Sequence, residues 1–322
     1  MRVIRIAMLQ LNNYFSDQET GYTKAASMIM EASKEGIDLA VLPELSGCGY
    51  IPNQSIWKFA EPIDGKTARW ACDLSAQLGI YIGAGFIETD GRDFYNSYLL
   101  SSPEGNICGV IRKEDAESYC FKRSGGNIYL DTGIGRIGIG ICADNHYMDR
   151  LKRMKDVNID FMLMPHASPA PFRTNARISG KDIELFEKQP EMIASVYSKY
   201  LRRPTVFVNS VGSFPEFAGG YFVKDFNENF RLMGGSLVTG SDGVPKTRMG
   251  SAESYAVVEV SLEPSDDRPV EPIVYHKRWL HPGNAVFRGI VMPLVTRKGI
   301  RNYEKNSKKW MSLVREAEEC HG

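Results

Sequence analysis

Three side chains in this sequence carry the groups that nucleophilic acyl chemistry needs. Cys142 offers a thiol to attack an electrophilic carbon, Lys113 an ammonium to take up negative charge, and Glu44 a carboxylate to move protons. Each follows an apolar run: Leu39-Ala40-Val41-Leu42-Pro43 before Glu44, Ile107 to Arg112 before Lys113, and Ile137-Gly138-Ile139-Gly140-Ile141 before Cys142. These runs read as strands, so the three residues occupy equivalent C-terminal ends, where α/β sheets open their clefts. A helical segment is predicted from about Asn145 to Lys155, which puts the thiol at a strand-to-helix junction resembling a nucleophile elbow. There the helix dipole, free backbone N–H groups and a nearby ammonium predict a thiol ionised at neutral pH. Singly, each residue has a blander reading. A cysteine is commonly a small buried hydrophobe, and lone Pro-Glu or Arg-Lys pairs are commonly solvated.

The elements that would position these groups alternate. Val3 to Leu11 reads as a strand, residues 18–34 as a helix, and Thr67 to Leu78 as a second helix closed by Gly79. Ile80 to Phe86 reads as a strand, and Asn96 to Ser101 with Ile107 to Arg112 flank a Pro- and Gly-containing turn, which makes the sheet mixed. Further strands are predicted at Ile128 to Asp131, Arg136 to Ile141, Phe161 to Met164, Val206 to Val208 and Tyr255 to Val260. A helix near residues 180–201 carries Pro190, which should bend or interrupt it. Strands interleaved with helices indicate an α/β layered domain. From Glu263 the chain becomes Pro- and charge-rich, ending in an amphipathic stretch, Tyr303 to Glu319, with Trp310, Leu313, Val314 and Ala317 on one face. The expected organisation is a domain over 1–262 and an extension over 263–322 that packs on it or on a partner subunit.

Composition excludes several classes. The 322 residues hold 39 basic and 39 acidic side chains, so no net field draws nucleic acid or an anionic membrane. A small-molecule partner is expected instead. No stretch is long and apolar enough to span a membrane, and the charged start does not resemble a secretory signal. Six cysteines without a Cys-x-x-Cys pair predict reduced thiols and a cytoplasmic location. The five histidines share no metal-ligand spacing, and no metal is predicted.

Leu39-Ala40-Val41-Leu42-Pro43-Glu44 with Gly49-Tyr50, Ile111-Arg112-Lys113, and Gly138-Ile139-Gly140-Ile141-Cys142-Ala143-Asp144 resemble, in order, the glutamate, lysine and cysteine motifs of the nitrilase superfamily. Ala7-Met8-Leu9-Gln10-Leu11, Val208-Asn209-Ser210-Val211-Gly212, Gly234-Gly235-Ser236 and Asp242-Gly243 extend the resemblance over residues 3–262. It implies a four-layer αββα sandwich with mixed sheets and a Glu44-Lys113-Cys142 triad that needs no cofactor. It further implies a carbon–nitrogen hydrolase working through a cysteine thioester, with the Ala143 backbone N–H beside Lys113 receiving the oxyanion. Homo-oligomers, at least dimers, are common in the family and expected here. Nitrile hydrolysis, acyl transfer through the same triad and a catalytically silent binding scaffold are the alternatives; the presence of all three residue types speaks against the last.

Glu117 is the candidate for the family's second glutamate, although its acidic loop lacks the His-Leu pair that often follows the lysine. A surface role for it is an equal alternative. Ala143 replaces the aromatic residue usual after the nucleophile, including the tryptophan of nitrilases, which favours an amide or carbamoyl substrate. Tyr119 or Tyr147 is expected to fill the space left, and Tyr50, Asn145, His146 and His166 are further candidates for substrate contact. Arg173, after Pro169-Ala170-Pro171-Phe172, is expected to grip a substrate carboxylate.

Overall fold

Alternate residues of the first strand serve two different apolar layers in the computed structural model, which describes residues 2–217 and 228–319, and side chains for all of these except 287 and 313–319. Ile4, Ile6 and Met8 join one buried cluster, while Ala7 and Leu9 join another. A strand with two apolar faces belongs inside a stack of layers.

The elements in order are β1 (Val3–Gln10), α1 (Gln18–Ser33), β2 (Leu39–Val41), α2 (Lys66–Leu78), β3 (Tyr81–Thr89), β4 (Phe94–Ser101), β5 (Ile107–Arg112), β6 (Tyr129–Thr132), β7 (Gly135–Ile139), α3 (Met148–Asp156), β8 (Phe161–His166), β9 (Pro169–Pro171), α4 (Gly180–Leu201), β10 (Thr205–Asn209), β11 (Val211–Gly212), β12 (Phe230–Met233), β13 (Leu237–Thr239), β14 (Pro245–Arg248), β15 (Ser254–Ser261) and α5 (Met292–Glu319). They build two six-stranded sheets, ordered β15-β1-β2-β3-β4-β5 and β14-β13-β10-β8-β7-β6. Both are mixed. β1, β2 and β3 run parallel, as do β7, β8 and β10, and antiparallel strands complete each sheet.

Ile6, Val41 and Ile111 of the first sheet pack against Ile137, Leu163 and Val206 of the second. On the outer face of the first sheet, Ala25 and Ile29 of α1 and Ala71 and Leu74 of α2 cover Ala40, Ile82 and Leu99. Leu151 and Met154 of α3 and Ile193 and Tyr197 of α4 cover Met162, Met164 and Phe207 of the second. The layers are helix, sheet, sheet, helix, as the resemblance implied.

Three details depart from the sequence reading. The helical segment after Cys142 is divided into a 3-10 turn, Cys142–His146, and α3. α4 runs through Pro190 without interruption, and the proline lines a cavity. The short strands β9, β11 and β12 form a third sheet that no local pattern announces.

The segment beyond residue 262 packs back on the domain. Tyr303 of α5 donates to Asp93 Oδ1 at 3.0 Å and accepts from the Phe94 N–H at 2.9 Å. Trp310 meets the edge of Trp57, which stacks on Phe94 at 4.9 Å. Leu313, Val314 and Ala317 of the predicted apolar face lie outside the described side chains. Trp279 contacts Tyr147 at 4.7 Å, and the Leu280 N–H donates to the His146 carbonyl at 2.9 Å. The extension thus reaches the chain immediately after Cys142.

Candidate active site

β2 and β5 of the first sheet and β7 of the second end at one place, and there Glu44, Lys113 and Cys142 meet. The Lys113 Nζ bonds Glu44 Oε1 at 2.6 Å and Glu117 Oε1 at 2.6 Å. Asn96 of β4 donates to Glu44 Oε1 at 2.8 Å, and the Ala167 N–H, just past β8, donates to Glu44 Oε2 at 2.8 Å. The Glu44 and Lys113 side chains are fully buried. Cys142 lies within electrostatic reach of Glu44, Lys113 and Glu117, and its Sγ is 3.4 Å from Ser168 Oγ.

Backbone strain marks the same point. Leu45 has φ +52° and Cys142 φ +47°, the left-handed region that L-residues rarely adopt. Each sits where a strand ends and the chain turns back over it. Gly85 makes the first turn feasible, since a Cβ there would lie 2.3 Å from the Leu45 nitrogen. The second turn is held by Asp144, whose carboxylate accepts from the N–H groups of Asp115 at 2.8 Å and Glu114 at 3.1 Å and so ties the cysteine loop to the lysine loop. The Ala143 N–H stands in the first turn after Cys142, where N–H groups have no intrahelical acceptor.

Electrostatics overturn one expectation. Burial pushes the Cys142 thiol well above its ordinary range; the Glu44 charge adds to this, while Lys113 opposes it. Cys142 therefore rests as a thiol. A five-residue 3-10 turn has little dipole to offer, and two carboxylates already claim the nearby ammonium. Burial also raises Glu44; Lys113 opposes this and the Glu117 charge adds to it. Burial acts against the Lys113 charge as well, but Glu117 and Glu44 outweigh it and hold the ammonium well above its ordinary value. Burial and the shared cation leave Glu44 a better proton acceptor than an ordinary carboxylate.

The remaining candidates are distributed unevenly. Glu117 is part of the cluster, with its side chain 21% exposed, so the surface alternative fails. Tyr50 is buried against Phe214 and feels Glu117, Lys113, Glu44 and Cys142. His146 and His166 line a cavity of about 310 Å³, which Ser168, Phe186, Met233 and Arg231 also border. Asn145 does not reach that cavity; it donates to the Gly140 carbonyl at 2.7 Å and contacts His166 Nε2 at 3.1 Å. Tyr119 points elsewhere, against Gly299 of α5, because the extension occupies that flank of the loop. Nor does Tyr147 fill the space beside Ala143, as it packs on Trp279. Arg173 is exposed and bonded to Asn229 and the Glu228 carbonyl, outside the cavity wall; Arg231 and Arg248 border the cavity instead.

Sequence reasoning missed Asn96, Ser168, Arg231 and Arg248. Asn96 had a usable signal, a polar amide within the apolar strand Phe94–Ser101. The other three had none, because Ser168's contact with the cysteine and the place of Arg231 and Arg248 at the cavity wall arise from packing between distant elements. No cluster of three or more metal-ligating side chains occurs among the described residues.

A thiol, an ammonium and a carboxylate converging between two β-sheets define a class of protein, the αββα sandwich with a buried Glu-Lys-Cys site. The chain belongs to the carbon-nitrogen hydrolase family, whose model matches residues 5–266. Among curated relatives it is 30% identical over 181 residues to a nitrilase of Pyrococcus abyssi, covering 54% of this chain and 69% of the relative. It is 31% identical over 180 residues to a citrullinase of Francisella tularensis, covering 52% of this chain and 62% of the relative. The match thus spans about two thirds of each relative's length. The carbon-nitrogen hydrolase structure from Helicobacter pylori superimposes with a TM-score of 0.72 at 19% identity, covering 81% of this chain and 90% of that one.

Proposed function

We propose that this protein hydrolyses a carbon–nitrogen bond in a small amide or N-carbamoyl compound. One observation carries the reading: Lys113 is buried between Glu44 and Glu117 beside the Cys142 thiol. Glu44, with its raised proton affinity, takes the thiol proton as Sγ attacks the carbonyl carbon. Lys113 and the Ala143 N–H receive the charge that develops on the oxygen. The tetrahedral adduct collapses to a thioester, and Glu44 passes its proton to the departing amine or ammonia. Water, deprotonated by Glu44, then attacks the thioester, and the acid and the thiol are released.

The absence of a bulky side chain at Ala143 supports a carbonyl substrate over a nitrile; the relatives include both a citrullinase and a nitrilase. Ammonia release from a panel of small amides, ureido compounds and nitriles tests this, with turnover expected on the first two. Exclusive action on nitriles would overturn it. Cys142→Ala should abolish turnover while leaving the thermal melt unchanged; a fully active variant would remove the nucleophile assignment.

Self-association is also proposed. Val286, Ile290 and Leu294 recur at four-residue spacing with 58–61% of their surface exposed, an apolar stripe suited to a second copy. Light scattering of the purified protein should show a dimer or larger species.

A further inference from the structure

Ser168 stands at the wall of the cavity and at the same time touches the sulfur. Its hydroxyl belongs to a chain of contacts whose direction can be worked out from one end. Asn145 Nδ2 lies 2.7 Å from the Gly140 carbonyl oxygen, which can only accept, so the amide nitrogen must be on that side. The same NH₂ group contacts His166 Nε2 at 3.1 Å, so Nε2 is the accepting nitrogen. Burial, together with the Lys113 charge, holds His166 well below its ordinary range, and a neutral ring carries one proton. With Nε2 accepting, that proton is on Nδ1, 2.9 Å from Ser168 Oγ. Ser168 therefore receives a hydrogen bond from His166. Its own proton is left for Cys142 Sγ, at 3.4 Å, the one acceptor recorded for it among the described residues.

We propose that Ser168 donates a hydrogen bond to the Cys142 thiolate as it forms and again as it leaves the thioester, with His166 and Asn145 as positioning residues for that hydroxyl. The inference rests on Cys142 being the nucleophile. It answers a need set by the site itself. Lys113 commits two N–H groups to carboxylates, and the thiolate appears in a buried place that Glu44, Glu117 and Tyr50 surround with negative or neutral groups. A donor held in place costs no reorganisation when the charge arrives. The proton balance is simple: the thiol proton goes to Glu44, and Ser168 and His166 keep theirs throughout. His146, whose ring centre is 6.2 Å from that of His166, is also kept neutral, chiefly by burial, so neither imidazole supplies a positive charge in place of the hydroxyl.

The test needs no knowledge of the substrate. The rate of iodoacetamide alkylation at Cys142, followed by mass spectrometry of its peptide across pH, reports the thiolate fraction. Ser168→Ala should move this profile to higher pH and slow alkylation below the plateau about tenfold, the loss expected for one hydrogen bond to a charged group. Ser168→Thr, which keeps the hydroxyl, should follow the wild type. His166→Phe should shift the profile in the same direction, and His166→Asn should restore it, because the amide nitrogen takes the place of Nδ1. A merely structural role would not produce this recovery. If Ser168→Ala fails to fold, the Phe and Asn variants at 166 still decide the matter, and identical profiles for the two overturn the proposal. Superimposed Ser168→Ala and wild-type profiles, with Cys142→Ala inactive, overturn this inference and leave the proposed function standing. Full turnover by Cys142→Ala overturns both.

Discussion

A single ammonium between two carboxylates gives each of the three groups a different task. Lys113 stays charged because two anions hold it so; Glu117 supplies part of that hold, and its charge also raises the proton affinity of Glu44. Replacing Glu117 by Gln removes both effects. Turnover should fall about 10–100-fold, as is typical when the support of a reacting group is lost. The acid limb of kcat/KM should also move to lower pH, because Glu44 loses a neighbour that raises it. A pH–rate series for both proteins checks the sign, and an acid limb displaced upward would contradict the assignment. The cavity arginines make a second residue-scale prediction. Arg231→Ala should raise KM for an amide bearing a carboxylate several-fold and leave a neutral amide unchanged, whereas Arg173→Ala should alter neither, since Arg173 is bonded away from the cavity.

At the scale of the elements, the site depends on tight turns at strand ends. The Glu44–Leu45 turn passes against Gly85 of β3 so closely that a methyl group there would press on backbone atoms of both residues. Backbone cannot swing aside as a flexible side chain can. Gly85→Ala should cost about 1–3 kcal/mol or more of stability in urea unfolding and depress turnover by displacing Glu44. A variant with wild-type stability and activity would show that the turn tolerates what the geometry says it cannot. The same logic explains which elements were legible in the sequence. β1, β3 and β4 are long and apolar, α1 and α2 are amphipathic, and all of these were readable. β9, β11 and β12 are two to four residues long and are held by one another, so no periodicity has room to develop. Pro190, a usual helix breaker, was misleading because burial of Ile193 and Tyr197 on the sheet outweighs one lost hydrogen bond.

For the whole molecule, the extension beyond residue 262 is joined by His281 to the turn that follows Cys142. This ring contacts His146 Nδ1 at 2.7 Å and sits beside Arg288. Burial first, and the Arg288 charge second, lower it from 6.5 to about 4. The folded state therefore takes up a proton less readily than the unfolded chain between those values. Its contribution to stability is complete above pH 6.5 and is lost as the pH falls through that window toward 4, at most about 3 kcal/mol. His281→Gln should unfold in urea with a weaker pH dependence between 7 and 4.5 than the wild type; equal dependence would remove His281 from this role. The two-sheet core is what makes such coupling possible, since it brings residues far apart in the chain to one end of the sandwich.

Local chemistry along the chain determined a good deal: the order of the long strands and helices, and a thiol, an ammonium and a carboxylate each placed at a strand's end. Apolar runs and turn residues act over a few positions, and these features need nothing more. Only the tertiary structure decided that Glu117 faces inward, that burial keeps Cys142 a thiol, that Ser168 and Asn96 adjoin the Glu44-Lys113-Cys142 cluster and that Arg231 rather than Arg173 borders the cavity. Each of these is a matter of desolvation or of contact across separate elements. Such effects depend on distance through space, which the stacking of two sheets sets and the linear pattern does not carry.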